Sequence, residues 1–315
     1  MNTTSNKNTV SAATLYPLHG IVTVLNTPYN PDGSVDYKAA NCNVKEALRA
    51  GVAGFLVPAM ASEVSKLTLF EKLKIVETVF EANNGQVPVF VGTGGGTAED
   101  AVKMLNVYQA IGVKNVLIQL PYSNDNQFKE DFKKVAGLVP EVVMLQDWDF
   151  SGYGLSDELI LELFKSEPKF RCLKIETVPA GVKYSRILEL TNGKLNVSGG
   201  WAVTQMIEGL KRGVHAFMPT GMHWIYTEIF NLFKSEKTGE ATKLFNEILP
   251  ILAFSNQHLD ISIHFFKRLL WRQGIFPTHA VREPVVPFDK MHEEVADMHI
   301  KKIMEIENRI RKSRK

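Results

Sequence analysis

Cysteine is nearly absent from this chain of 315 residues, which contains only Cys42 and Cys172. Neither lies in a CxxC pair or at a metal-ligand spacing, so we expect no disulfide framework and no zinc or other metal site. The N-terminal stretch is polar and has no apolar segment, which argues against a secretory signal. No run approaches the roughly 18 apolar residues of a membrane span, so no membrane association is predicted. We expect a reducing, cytoplasmic setting.

An excess of charge of one sign is also lacking, because 34 Asp and Glu residues balance 36 Lys and Arg residues. This balance does not favour a nucleic-acid partner. Basic residues cluster only in the C-terminal stretch KKIMEIENRIRKSRK. We interpret that stretch as the solvated end of a helix rather than as a functional basic tail.

Eight short apolar runs alternate with longer amphipathic segments. The runs are GIVTVLN from Gly20, GFLVP from Gly54, VPVFVG from Val87, NVLIQL from Asn115, VVMLQD from Val142, FRCLKIE from Phe170, LNVSG from Leu195 and HAFMP from His215. Short, almost continuously apolar strands are typical of a parallel sheet covered by helices. The intervening segments have helical signals; one of them predicts a helix capped by Thr97 that ends at Gly112.

This alternation predicts an α/β fold, a (β/α)8 TIM barrel with a C-terminal helical extension. A doubly wound open sheet is the alternative, but eight evenly spaced units and the absence of a GxGxxG turn favour closure. We expect a flexible N-terminal segment at 1–17, the barrel at 18–235, and a helical region at 236–315. No linker rich in Pro, Gly or Ser separates the last two, so we expect the helical region to pack on the barrel.

A lysine stands in the middle of the sixth predicted strand, FRCLKIET. Because side chains alternate along a strand, Cys172, Lys174 and Glu176 share one face. Leu173 and Ile175 suit the opposite, helix-packed face, so Lys174 is expected to point into the barrel. Partial desolvation there favours the neutral amine, which attacks carbonyl groups to form a Schiff base. The residues alone leave a second interpretation open, in which Glu176 or another inward carboxylate holds Lys174 in an ion pair.

Several segments between about Leu18 and Phe276 resemble, in order and spacing, the dihydrodipicolinate synthase and N-acetylneuraminate lyase family of class I aldolase-type barrels. The similar segments are GIVTVLNTPYNPDGSVDY, RAGVAGFLVPAMASEVSKLTLFEKLKIVE, VPVFVGTGGGTAEDAVKMLNVYQAIGVKNVLIQLPY, FRCLKIET and NVSGGWAVTQMIEGLKRGVHAFMPTG. The resemblance implies a barrel with a helical C-terminal domain and a Schiff-base lysine at Lys174. It also implies a small-molecule carbonyl substrate, no cofactor, and a homo-oligomer, either a tetramer or a dimer.

The sequence departs from that family at positions that handle substrate and protons. Met60 and Ala61 stand where the family has two threonines that hold the carboxylate of pyruvate, and neither side chain can donate a hydrogen bond. Leu145 occupies the position of a proton-relaying tyrosine, and Phe150 that of an arginine. After the fourth strand, the family has two consecutive tyrosines, and here the second is replaced by Ser123.

Other side chains at predicted strand ends are candidates to replace what is missing. Asp147 has the parity of Leu145, so we expect it to face inward as a general acid or base, with a loop or N-cap carboxylate as the alternative. Tyr122 is the other catalytic candidate beside Lys174. Backbone N–H groups after the seventh strand are suited to meet an anion at a helix start. The candidate substrate-binding residues are Ala61, Ser123, Glu176, Ser198 and Gly199.

Together these features predict a Schiff-base-forming lyase, an aldolase or dehydratase that acts on a 2-keto acid or related carbonyl compound through Lys174. The missing threonines, tyrosine and arginine argue against true dihydrodipicolinate synthase activity. The alternative is a barrel that has lost catalysis and serves as a ligand-binding or scaffold protein. We favour the enzyme, because a buried lysine is costly to retain without a use.

Overall fold

Eight parallel strands close into a barrel in chain order, with the eighth hydrogen-bonded to the first, in a computed structural model that describes residues 14–314. The strands are β1 Gly20–Val24, β2 Gly54–Leu56, β3 Val89–Gly92, β4 Asn115–Ile118, β5 Val142–Asp149, β6 Phe170–Thr177, β7 Asn196–Gly199 and β8 Ala216–Phe217. The predicted barrel is confirmed, and the open sheet is wrong. Of the predicted N-terminal segment 1–17, residues 1–13 lie outside the described residues.

Helices cover the barrel and continue past it. Those of the barrel are α1 Tyr37–Ala50, α2 Leu69–Asn83, α3 Ala98–Ala110, α4 Asp125–Leu138, α5 Asp157–Ser166, α6 Ala180–Leu190, α7 Met206–Lys211 and α8 His223–Lys234. Those after it are α9 Thr238–Ser255, α10 Leu259–Arg272 and α11 Lys290–Ser313. Short 3-10 turns lie at Met60–Ser62, Val64–Lys66 and Trp201–Gln205. The predicted Thr97 cap is present, since its side chain accepts a hydrogen bond from the Asp100 N–H at 3.2 Å.

Apolar side chains form one core inside the barrel and another between the strands and the helices. Val22, Phe90, Met144 and Cys172 are among the inner set. Leu173 and Ile175 belong to the outer set, as do apolar residues of the surrounding helices. Because alternate residues of β6 lie in different cores, its predicted inward and outward faces are confirmed.

The C-terminal helices share a hydrophobic core with the barrel helices. Ile248 of α9, Phe265 of α10 and Ile300 of α11 are buried in the same core as the barrel helices. Helix α10 reaches the carboxyl end of the barrel, where it contacts the turn at Met60–Ser62. None of the described helices is long and apolar enough to cross a membrane.

Candidate active site

Lys174 lies inside the carboxyl-terminal end of the barrel, where active sites of this fold are built. Its side chain is almost fully enclosed, and the residue is 5% exposed. The Nζ atom lies 3.1 Å from Oε2 of Glu176, two residues further along the same face of β6. The predicted inward lysine and the predicted ion pair with Glu176 are therefore both present.

Three donors surround the Glu176 carboxylate. Oε2 contacts Lys174 and accepts a hydrogen bond from the Gln146 side-chain amide, and Oε1 accepts one from the backbone N–H of Trp201 at 2.8 Å. Gly200 makes this placement possible, because a Cβ atom there would collide with the carboxylate. The backbone N–H after β7 therefore meets an anion, but that anion belongs to Glu176 rather than to a ligand.

A pocket that opens to solvent surrounds Lys174 and Glu176, and its cavity volume is about 90 Å³. The ends of six barrel strands contribute to it, and α8 and α10 complete one wall. Most of the lining is apolar, including Met60, Trp148, Phe150, Trp201, Met218 and Phe266. The uncharged polar side chains in the lining are Gln146, Thr220, Asn256 and Ser262, together with that of Tyr226.

Three of the residues at which the sequence departs from the family lie in this pocket. Met60 and Ala61 line it beside the Met60–Ser62 turn, and Phe150 lines it after β5. The positions of the threonine pair and the arginine are thus at the pocket, but their side chains offer neither a hydrogen-bond donor nor a positive charge. A carboxylate held in the usual way has no side-chain partner at these three positions.

The predicted orientation of β5 is wrong by one residue. Gln146 is paired in register with Lys174 and faces the pocket, whereas Leu145 and Asp147 face the helices. The register between β5 and β6 shifts between Val143 and Met144. Both faces of β5 are buried, so no polar–apolar alternation reveals its parity, and a slip of one residue exchanges the two faces. Gln146, not Leu145, therefore faces Lys174.

Asp147 forms a buried ion pair with Lys183 of α6 on the outer side of the barrel. Lys183 also donates hydrogen bonds to the carbonyl oxygens of Tyr153 and Leu155, at 2.5 and 2.7 Å. Asp147 Oδ1 accepts the Leu155 N–H at 3.0 Å. These contacts fix the segment that follows β5, and they correct the expectation that Asp147 faces inward beside Lys174.

The remaining predicted site residues do not line the Lys174 pocket, although Ser198 of β7 is paired in register with Lys174. Tyr122 is 57% exposed, donates a hydrogen bond to Asp125 at 2.8 Å, and lines with Asp147 a second cavity, which shares Gln146 and Trp148 with the Lys174 pocket. Ser123 is exposed beside it. Ser198 is buried and donates to the Leu173 carbonyl at 3.3 Å. Gly199 packs so tightly that a Cβ atom would lie 2.6 Å from the Tyr184 hydroxyl. Of the predicted substrate-binding residues, the pocket brings together Ala61 and Glu176.

Several pocket residues were not expected from the sequence. Gln146 was not expected in the pocket because the sequence analysis assigned the wrong face to alternate residues of β5. Thr220 follows β8 at the end of the strand, so its polar side chain was a signal that could have indicated it. No sequence pattern indicates that Asn256 and Ser262 reach the pocket, because their position there depends on how α9 and α10 pack on the barrel.

Three lysines are buried in the described chain, and their surroundings differ. Burial lowers the pKa of Lys183, opposed by Asp147, and it lowers the pKa of Lys267 to about 8, opposed by Glu63. Lys267 Nζ lies 2.6 Å from Glu63 Oε1 and has no exposed side-chain surface. A lowered pKa alone does not make a nucleophile, because the amine must also be reachable. Lys174 is the one among these three that lines the pocket.

The family match and the relatives named as lyases indicate the class of the protein, an enzyme of the class I aldolase-type lyases, and its parallel eight-stranded barrel carries a lysine within β6. Residues 17–303 match the model of the Dihydrodipicolinate synthetase family. The chain belongs to that family.

Relatives in this family are divergent in sequence and similar in structure. An uncharacterized DapA-like lyase of Pyrobaculum arsenaticum is 27% identical over 245 residues, which are 75% of this chain and 80% of that protein. A 4-hydroxy-tetrahydrodipicolinate synthase of Methanococcus maripaludis is 25% identical over 240 residues, 75% of this chain and 82% of that protein. The crystal structure of dihydrodipicolinate synthase from Rhodopseudomonas palustris superposes with a TM-score of 0.84 at 18% identity, covering 92% of this chain and 99% of that one.

Proposed function

We propose that the protein is a Schiff-base-forming lyase in which Lys174 condenses with the carbonyl group of a 2-keto acid or a related carbonyl compound. The observation that carries the proposal is the placement of an enclosed lysine amine in an open pocket, 3.1 Å from the carboxylate of Glu176. A nucleophile within hydrogen-bond reach of a base is the arrangement that covalent catalysis by lysine requires.

Glu176 serves as the proton relay in this proposal. Its carboxylate takes a proton from the Lys174 ammonium, and the neutral amine then adds to the carbonyl carbon. The resulting carbinolamine loses its hydroxyl group as water, with the proton supplied by the Glu176 carboxyl group. The product is an iminium on Lys174, which draws electrons from the neighbouring carbon and allows C–C cleavage, condensation or loss of water.

Gln146 and Trp201 keep the relay in place. Their N–H groups hold the Glu176 carboxylate from two sides, so its oxygen remains directed at Lys174. Asn256 and Ser262 reach the pocket from the C-terminal region and offer hydrogen bonds to a bound substrate. In this proposal they take over part of the orienting role that Met60 and Ala61 have lost.

We also propose that the protein is not a working dihydrodipicolinate synthase. Phe150 stands at the arginine position and lines the pocket with an uncharged ring, and Met60 and Ala61 provide no carboxylate clamp. The purified protein is expected not to condense pyruvate with aspartate semialdehyde. Robust condensation at rates of about 1 s⁻¹ or more, ordinary for enzymes, would overturn this part of the proposal.

A catalytically lapsed scaffold is the second candidate, and the observation that favours it is the Lys174–Glu176 ion pair itself. Borohydride reduction in the presence of a panel of 2-keto acids and keto-sugars separates the two candidates. The lyase predicts a reduced adduct on the peptide that contains Lys174, and no adduct in Lys174→Ala. A panel that leaves no adduct on a folded protein would favour the scaffold.

A further inference from the structure

Three aromatic side chains form a continuous surface along one wall of the Lys174 pocket. The ring centroids of Trp148 and Phe150 lie 5.2 Å apart, and those of Phe150 and Trp201 lie 5.6 Å apart. Trp148 is 42% exposed and Phe150 is 43% exposed. These rings are therefore packed on one another, yet large parts of their surface remain free to contact a ligand.

The pocket has few charged side chains, which also favours an uncharged ligand group on the aromatic surface. Among the described residues that line the pocket, Lys174 is the one cation and Glu176 the one anion. In the proposed iminium the positive charge of Lys174 lies at the reacting carbon, so a phosphate or a second carboxylate at the far end of the substrate would find no cationic side chain among the described lining residues. Moving such a charged group out of water without a partner is unfavourable.

We propose that the substrate carries an uncharged, planar apolar group, such as an aryl ring, which stacks on the surface formed by Trp148, Phe150 and Trp201 while its carbonyl group reaches Lys174. This inference rests on the proposed Schiff-base function and adds the substrate class. Aromatic rings favour offset or edge-to-face contacts with other rings, and burying an aryl group there removes apolar surface from water on both sides.

The fixed position of the segment after β5 supports this assignment. Lys183 holds the carbonyl oxygens of Tyr153 and Leu155, and the Asp149 side chain accepts the Ser151 N–H at 2.9 Å. Phe150 lies within that anchored segment, so its ring is presented in a defined position. A surface that is organised before binding loses less entropy when a ligand contacts it.

The test compares three 2-keto acids in borohydride trapping on Lys174, followed by mass spectrometry. The probes are 2-oxo-4-phenylbutanoate with an aryl tail, 2-oxoadipate with a charged tail, and pyruvate with no tail. The aryl compound is expected to reach half-maximal trapping at a concentration about 10-fold lower than the other two, the size expected for one or two aromatic contacts. Trp148→Ala and Phe150→Ala should each remove most of that advantage.

Phe70→Ala serves as the matched control, because Phe70 is an aromatic residue of α2 that is 71% exposed and does not line the pocket. It should trap all three probes as the unmodified protein does. Phe150→Arg should shift the preference toward 2-oxoadipate.

Each remaining outcome decides against the inference in a distinguishable way. Trapping of pyruvate or 2-oxoadipate on Lys174 as readily as the aryl compound would overturn the substrate class and leave the Schiff-base function standing. Absence of trapping with every probe would remove the function and the inference together. A Trp148→Ala protein that traps normally but forms a smaller assembly would assign the aromatic surface to a subunit contact and overturn the inference.

Discussion

Replacing Glu176 by glutamine removes the proposed proton relay while retaining the size of the side chain. The glutamine carbonyl oxygen can still accept the Trp201 N–H, which now donates to Oε1 at 2.8 Å. Its amide group, however, neither accepts a proton from Lys174 nor returns one to the carbinolamine hydroxyl. General acid–base catalysis contributes about 10²- to 10⁴-fold to a rate, so imine formation should slow by at least about 100-fold.

An opposing effect must be weighed against this loss. The substitution also removes the ion-pair partner that lies 3.1 Å from Lys174 Nζ, which leaves the lysine side chain freer to approach a carbonyl carbon. The attack step then becomes easier, but departure of the hydroxyl group still lacks its proton donor. We therefore expect the dehydration step to limit the reaction and the net rate to fall.

The assay is the time course of borohydride-trapped adduct on Lys174 with a 2-keto acid that the unmodified protein accepts. Asp147→Asn is a matched control, because Asp147 is also a buried carboxylate paired with a lysine, yet it faces the helices. That control should lower thermal stability, since breaking a buried pair costs about 3–5 kcal/mol, without slowing trapping comparably. If Glu176→Gln traps the keto acid within about threefold of the unmodified rate, the loss is far smaller than the effect of general acid–base catalysis. That result would refute the role of Glu176 as proton relay.

Gly200, Glu307 and the assembly of the protein each allow a further test. Gly200→Ala should displace the Glu176 carboxylate, because the added Cβ atom collides with it. Trapping on Lys174 should then be slower, while circular dichroism shows a folded protein. An unaffected trapping rate would contradict this prediction. Burial raises the pKa of Glu307 to about 7, so the folded state binds its proton more tightly than the unfolded state. Protonated Glu307 therefore adds up to about 3 kcal/mol to the free energy of unfolding. This contribution is fully present below about pH 4.5 and is lost as the pH rises through 7. In denaturant titrations, Glu307→Gln should therefore gain stability relative to the unmodified protein between pH 5 and 8, and parallel pH profiles would disprove the assignment. Light scattering should give an assembly larger than the 35.3 kDa protomer, and a protomer mass at micromolar concentration would count against the predicted homo-oligomer.

The barrel and its lysine could be predicted because local signals agreed with the tertiary structure. In β6 the apolar residues Leu173 and Ile175 alternate with Lys174 and Glu176. This alternation indicates which side chains point into the barrel and which point toward the helices. The helix caps, such as Thr97, also lie within a few residues of the groups they bind. Information of this kind is complete within a short stretch of sequence.

The rest of the site depends on relations between distant segments. Strand β5 is buried on both faces up to Asp147, so the inward position of Gln146 is set by its register with β6 rather than by its own pattern. Asn256 and Ser262 enter the pocket only because α9 and α10 dock over the barrel mouth. Neither docking nor a register shift leaves a periodic mark in the sequence.

Mapping the reduced adduct to individual lysines shows whether Lys174 is the residue that forms the imine. The unmodified protein would be treated with borohydride and a panel of 2-keto acids, and the peptides containing Lys174, Lys183 and Lys267 would be quantified. Burial lowers the pKa of Lys183 and of Lys267, but neither lines the pocket. We expect the adduct on Lys174 and its loss in Lys174→Ala. An adduct confined to Lys183 or Lys267, or undiminished in Lys174→Ala, would show that Lys174 is not the lysine that forms the imine.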